Sequence, residues 1–185
     1  MRRRDFLPLL ATPALRGQGG GPLRVLLVTG GHDYGNAFHR VLDDHRWEVT
    51  VNPHPSAFRS EGFLRSCDVL LLYDMIAELE PEKQNRLRKF FEAGKGIVVL
   101  HHALCGHQSW PWYEEAVGGK YLQQPEGQHP KSTYEHDLDL NVRIMSRHPV
   151  TEGLPEQFTI NDEAYKGFRH AKSNQVLLAT DHPQA

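Results

Sequence analysis

Histidine is the side chain that could do chemistry here. The chain carries 12 of them, while lysine supplies only 7 of its 21 basic residues. Imidazole titrates nearest neutrality and is the commonest protein ligand for transition metals. The placement of the histidines matters more than their number. His101 and His102 end the apolar run IVVL, and His32 and Asp33 follow LRVLLVTGG. Asp74 follows DVLLLY, His136 and Asp137 lie in YEHD, and Glu163 and Tyr165 share the segment NDEAY. His182 follows the last apolar run, and His129 lies in a polar loop. Two chemistries fit these residue types. In one, His101 and His136 help hold a divalent metal such as zinc, with a position left open for water or a substrate oxygen. In the other, His102 and Glu163 act as general acid and base while Tyr165 binds substrate. No His-Glu-x-x-His or Cys-x-x-Cys spacing is present, so local spacing does not decide between them.

His101 and His102 pose a geometric problem. Successive residues of a regular strand face opposite ways, so the pair can share a site only where the chain turns. A buried histidine satisfied by backbone is the competing reading. Trp110, Trp112, Tyr113 and Tyr121 could stack on a sugar ring or pack an amphipathic helix; Trp110 is the most loop-like of them. Cys105, in LCGHQ, superficially matches the cysteine nucleophile of glutamine amidotransferases. Placed four residues beyond the expected strand end, it reads instead as a packing residue. His102, followed by small Ala103, occupies the elbow position, and no later His-Glu pair serves a glutaminase.

The elements that must carry these groups alternate. Leu23 to Thr29 is a continuous apolar run ending in Gly30-Gly31, which predicts a strand buried on both faces, as in parallel sheets. Phe38, Val41 and Leu42 mark one helical face within Tyr34 to His45. Strands are expected at Trp47 to Val51, Asp68 to Tyr73 and Ile97 to His101. Pro81 opens a helix through Ala93, closed by Gly94 and Gly96. The alternation predicts an α/β fold with a parallel sheet and flanking helices, of the flavodoxin-like kind. Ligands bind such sheets outside the carboxyl ends of the strands, where His32, Asp74, His101 and His102 all fall. Beyond His101 a short helix at Trp110 to Val117, a loop from Gly119 to Pro130, a strand from Leu138 to Met145 and short strands at Phe158 to Ile160 and Val176 to Ala179 are expected. Glu163 then follows a short strand.

With 185 residues, 39% hydrophobic and 24% charged, the chain is sized for one ordinary globular domain. A formal net charge of -2 argues against nucleic acid or an acidic membrane as partner. Two cysteines, Cys67 and Cys105, read as free thiols. The first 22 residues stand apart. Arg3 and Arg4 precede Asp5, Phe6 and Leu7, which resembles a twin-arginine export signal. A short apolar stretch and the Gly-rich linker from Gly17 to Gly21 follow. The stretch is too short to span a bilayer. A periplasmic or secreted location is expected on that reading, and a cytoplasmic one if the segment is only a basic tail. Residues 23–185 are assigned to the folded domain.

Seven short motifs in order carry a family resemblance: VTGGHDY at 28–34, GKGIVVLHHA at 94–103, WPWYEEAVGGKY at 110–121, YEHD at 134–137, HPVTEGLP at 148–155, NDEAY at 161–165 and LLATDHP at 177–183. Together they resemble the trehalose-utilisation (ThuA-like) family. The resemblance implies a fold similar to class I glutamine amidotransferases. It also implies a carbohydrate ligand, trehalose or a related disaccharide, including oxidised keto-sugars, with a hydrolytic, lyase or isomerase step. A non-catalytic sugar-binding or interaction module is the alternative. From their placement in the chain, His102, Glu163 and Tyr165 are the expected catalytic residues. His32, Asp33, Trp110 and His182 are the expected substrate contacts. Members of the family usually continue past Asp-His-Pro with further strands, so the chain is expected to lack its last strands. An uncovered edge would favour pairing with a second copy, a homo-oligomer.

Overall fold

A computed structural model describes residues 21–35 and 37–185. The twin-arginine motif at residues 3–7 lies outside the described residues. Four parallel strands form the central sheet: β1 (Leu23–Gly30), β2 (Trp47–Pro53), β3 (Val69–Asp74) and β4 (Gly96–Val99), in the order β2-β1-β3-β4. Helices α1 (Ala37–Val41), α2 (Glu61–Arg65), α3 (Pro81–Glu92) and α4 (Pro111–Val117) flank it.

The alternation of side chains along β1 and β3 sorts the core into two layers. Leu26, Val28, Leu70 and Leu72 face one way and pack with Phe58, Leu64, Leu87, Phe90, Trp110 and Tyr113. Val25, Leu27 and Leu71 face the other way, against Phe38, Leu42, Trp47 and Tyr73. Burying each such large apolar side chain contributes roughly 1.5–3 kcal/mol, so the sheet fixes where the strand ends lie. Pro81 stands in the first turn of α3, where a missing amide donor costs nothing. Ser60 caps α2 by accepting a hydrogen bond from Phe63 N at 3.1 Å.

The second half departs from expectation. Two long strands, β6 (Thr133–Ile144) and β7 (Gln157–Lys166), pair antiparallel, and β9 (Leu178–Thr180) adds to the outer side of β6. This three-stranded sheet is separate from the parallel one. A two-residue pair, β5 (Gly119–Lys120) with β8 (Arg169–His170), brings the end of α4 to the segment after β7. Glu163 therefore lies inside a ten-residue strand rather than after a short one. The expected fourth parallel strand is also corrected. It stops at Val99, and His101 to Cys105 form a 3-10 turn. Among the described residues no helix is long and apolar enough to cross a membrane.

Candidate functional site

Four strand ends of the parallel sheet deliver polar groups to one rim. At the end of β1, Gly30 and Gly31 have φ of 129° and 76°. A Cβ on Gly31 would lie 2.2 Å from the Met75 carbonyl oxygen. Only glycine lets the chain cross the end of β3 there, and the crossing carries His32. At the end of β4, His101 adopts φ 50°, a left-handed conformation that costs a non-glycine residue free energy and clusters at functional sites. The turn redirects the chain, so His101 and His102 do not point to opposite faces. Their ring centroids are 4.9 Å apart. His32 stacks on His102 at 4.2 Å, and Tyr73 packs against His102 at 4.6 Å.

The antiparallel sheet brings the carboxylate. Pairing of β6 with β7 jumps from Glu135↔Ala164 to Leu138↔Asp162. His136 and Asp137 thus stand opposite Glu163 alone, a bulge of two residues against one that re-aims a side chain. Asp137 takes the left-handed conformation, φ 57°, which a short polar side chain tolerates better than most. As a result His136 Nδ1 lies 2.6 Å from Glu163 Oε1. Glu163 Oε2 accepts the Tyr165 hydroxyl and lies 3.3 Å from His101 Nε2. His101 Nδ1 is 2.6 Å from the Tyr165 oxygen. One carboxylate therefore ties together two histidines and a phenol drawn from the two separate sheets.

Electrostatics assign protonation states. Burial alone would raise the Glu163 carboxyl. The Tyr165 hydroxyl and the nearby His101 and His136 override it and hold Glu163 below the usual carboxylate range. Burial, with Glu163 beside it, pushes the Tyr165 phenol well above its ordinary value. Ionised Glu163 and protonated Tyr165 are thus the resting pair. His102 is different. It is only 3% exposed, and burial, helped by His32 and His101, lowers it to about 4. Neither of its ring nitrogens has a hydrogen-bond partner among the described residues. His101 rather than His102 meets Glu163, and His102 lies beneath as a neutral, stacked support.

The other expected residues distribute unevenly. Asp33 is exposed beside His32, whose Nδ1 donates to its carbonyl oxygen at 2.6 Å. Trp110 is buried within the core and stacked on Trp112 and Tyr113, so its faces are engaged and a sugar ring has no access to them. His182 follows β9, and its Nδ1 accepts from Gln184 N; no hydrogen bond or ring contact links it to the Glu163 cluster among the described residues. Cys105 is buried, and burial pushes its thiol up to about 11, far from a reactive thiolate. On the opposite side of the sheet, His54 Nδ1 meets Asp74 Oδ2 at 3.0 Å, with the side chains 2% and 5% exposed, and buried His107 lies nearby. His54 and His107 were missed. The signal for His54 was present, since it follows β2 on the same rim as the other three strand ends.

His101 and His136, the two histidines expected to bind metal, both lie against Glu163. Among the described residues no three His, Cys, Asp or Glu side chains are placed to hold an ion. His136 meets Glu163 directly, Nδ1 to Oε1 at 2.6 Å. A broad depression of about 1020 Å³ lies around Arg143 to Gln157, at the other end of β6 and β7, and contains none of the clustered groups.

The family model described as ThuA, trehalose utilisation, matches residues 24–185. A solved ThuA-like protein from Parabacteroides merdae superposes with a TM-score of 0.70 at 17% identity, covering 86% of this chain and 68% of that one. Another, from Bacteroides uniformis, gives 0.67 at 19% identity, covering 92% and 72%. At these identities the two structures show the fold alone. No curated protein matches.

Proposed function

The chain belongs to the ThuA, trehalose-utilisation family, and on that premise we propose that it moves a proton on a keto-disaccharide related to trehalose. The observation that carries this reading is the carboxylate of Glu163 shared by His136, His101 and Tyr165. With Nδ1–H toward Glu163, Nε2 of the largely exposed His136 ring carries the lone pair that takes a proton. Glu163 orients that ring and stabilises the imidazolium that forms, the role a carboxylate plays behind a catalytic imidazole. As the C–H bond beside the sugar carbonyl breaks, its electron pair moves to the carbonyl oxygen. The Tyr165 hydroxyl turns about its C–O bond to give that oxygen a hydrogen bond, while His101 Nδ1–H holds the phenol oxygen in place.

The residue inventory supports proton transfer over two rivals. Ordinary glycoside hydrolysis uses two carboxylates flanking the bond, and among the described residues Glu163 is the only carboxylate in this cluster of contacts. Acyl transfer through Cys105 meets a buried thiol raised to about 11. The resulting enolate then either takes the proton back on another carbon, an isomerisation, or expels the glycosidic oxygen, an elimination. Export through the twin-arginine route remains part of the proposal, tested by whether the full chain is recovered from the periplasm.

The test is conversion of keto-trehalose and of trehalose, read by mass spectrometry, by the wild type and by Glu163→Gln and His136→Ala. Turnover of the ketone, lost in both variants with melting unchanged, supports the reading. Binding of the ketone without conversion favours a non-catalytic sugar-binding module. Turnover abolished by a chelator and restored by zinc would return His101 and His136 to the metal role.

A further inference from the structure

Beside the acid–base cluster lies a half-open cavity of about 130 Å³, lined by His101, Leu104, Cys105, Tyr121, Tyr165 and Phe168. Its chemistry contrasts with the rim above it. The Tyr121 hydroxyl is turned away, donating to the Ser132 carbonyl oxygen at 3.1 Å. The Tyr165 hydroxyl is committed to Glu163 and His101. The Cys105 thiol is neutral, raised by burial to about 11. What faces the space is two tyrosine rings set edge to face at 5.8 Å, with Leu104 and Phe168. A water needs two to four polar partners, and an apolar cavity of roughly 150 Å³ stays dry and takes up benzene. A pyranose would not suit this one, because it carries a hydroxyl on nearly every carbon. Each hydroxyl left without a partner costs roughly 1–3 kcal/mol.

We propose that this cavity is a subsite for a small apolar aglycone, an aromatic ring or a short branched alkyl group, on the sugar that meets Glu163. The proposal rests on the proton-transfer reading for the sugar half alone. It adds glycosides with a bare, ring-sized aglycone to the keto-disaccharides as ligands of this site. His101 and Tyr165 line both the cavity and the cluster, so an aglycone seated here places its glycosidic bond beside the acid–base groups. Phe168, 39% exposed at the mouth, is the residue whose change should disturb the rest of the fold least.

The experiment uses benzene as the probe on the full chain, with affinity taken from the rise in melting temperature over a concentration series. Saturable binding is expected in the wild type. Phe168→Ala should weaken it about fivefold, the loss of roughly 1 kcal/mol of apolar contact, and Leu104→Phe should abolish it by filling the space. Phenyl β-glucoside should likewise bind at least about tenfold tighter than glucose, the worth of roughly 1.4 kcal/mol. Absence of saturable benzene binding, or binding untouched by both variants, overturns the proposal. Phe168→Ala keeps the test valid if Leu104→Phe does not fold. His136→Ala should bind benzene as the wild type does. A failure of keto-sugar turnover therefore bears on the acid–base reading and leaves this one standing.

Discussion

His136 and Glu163 divide the work at the level of single residues, and the division is measurable. His136 is 58% exposed and touches Glu163 through one nitrogen, so His136→Ala removes a base without opening a core. Positioned acid–base groups are worth about 10²–10⁴ in rate; kcat for the ketone should fall by that order while the melting temperature stays within a few degrees. Glu163→Gln keeps the size but loses the charge that stabilises an imidazolium, and kcat should fall with little change in KM. Cys105 makes the opposite prediction. A thiol raised to about 11 and buried should resist iodoacetamide at neutral pH until the protein unfolds. Much of this was legible in the sequence. His101, His136, Glu163 and Tyr165 were all singled out as bearing chemistry. What could not be read was which histidine of the 101–102 pair meets the carboxylate. That depends on the left-handed φ of His101, a conformation residue type does not forecast. Trp110 packs inward because a residue just ahead of a helix can still be buried when its neighbours are Trp112 and Tyr113.

Two local devices hold the site, the Gly30-Gly31 crossing after β1 and the bulge in β6. Gly31→Ala puts a Cβ 2.2 Å from the Met75 carbonyl oxygen at φ 76°. The clash and the strain should cost roughly 1–3 kcal/mol and shift His32 off the His102 ring. A lowered melting temperature together with weaker sugar binding checks this, since a purely structural loss would leave affinity per folded molecule unchanged. The parallel strands were readable because burial on both faces leaves an unbroken apolar run. The antiparallel strands were read too short because β7 is largely exposed along its length. Polar residues such as Asn161 and Asp162 sit in it without the alternation that marks a half-buried strand. The bulge at His136 and Asp137 leaves no periodic trace at all, yet it decides which residue faces Glu163.

Across the whole molecule, buried imidazoles tie stability to pH. His102 and His107 are both lowered to about 4 by burial, against an ordinary histidine value of roughly 6.5. Between those values the unfolded chain binds the protons and the folded one does not. Stability therefore rises with pH across that window. The contribution is complete above about pH 6.5, is lost as pH falls toward 4 and changes no further below it. A depression of this size corresponds to roughly 3 kcal/mol for each group as an upper figure. Glu163, held low, adds a smaller loss of the same sign at more acid pH, as pH falls through its folded value. Thermal melts from pH 8 to pH 4 should show this decline, and His107→Phe should flatten part of it. A flat profile would mean these rings are hydrated and titrate freely.

Solvent deuterium exchange tests the acid–base unit most directly. Keto-trehalose incubated with the protein in D₂O should gain deuterium at the carbon beside its carbonyl, read by mass spectrometry. The gain should be at least about a hundredfold slower with His136→Ala or Glu163→Gln. Incorporation no faster than in protein-free solution, or equally fast with both variants, would contradict the assignment of proton transfer to this cluster.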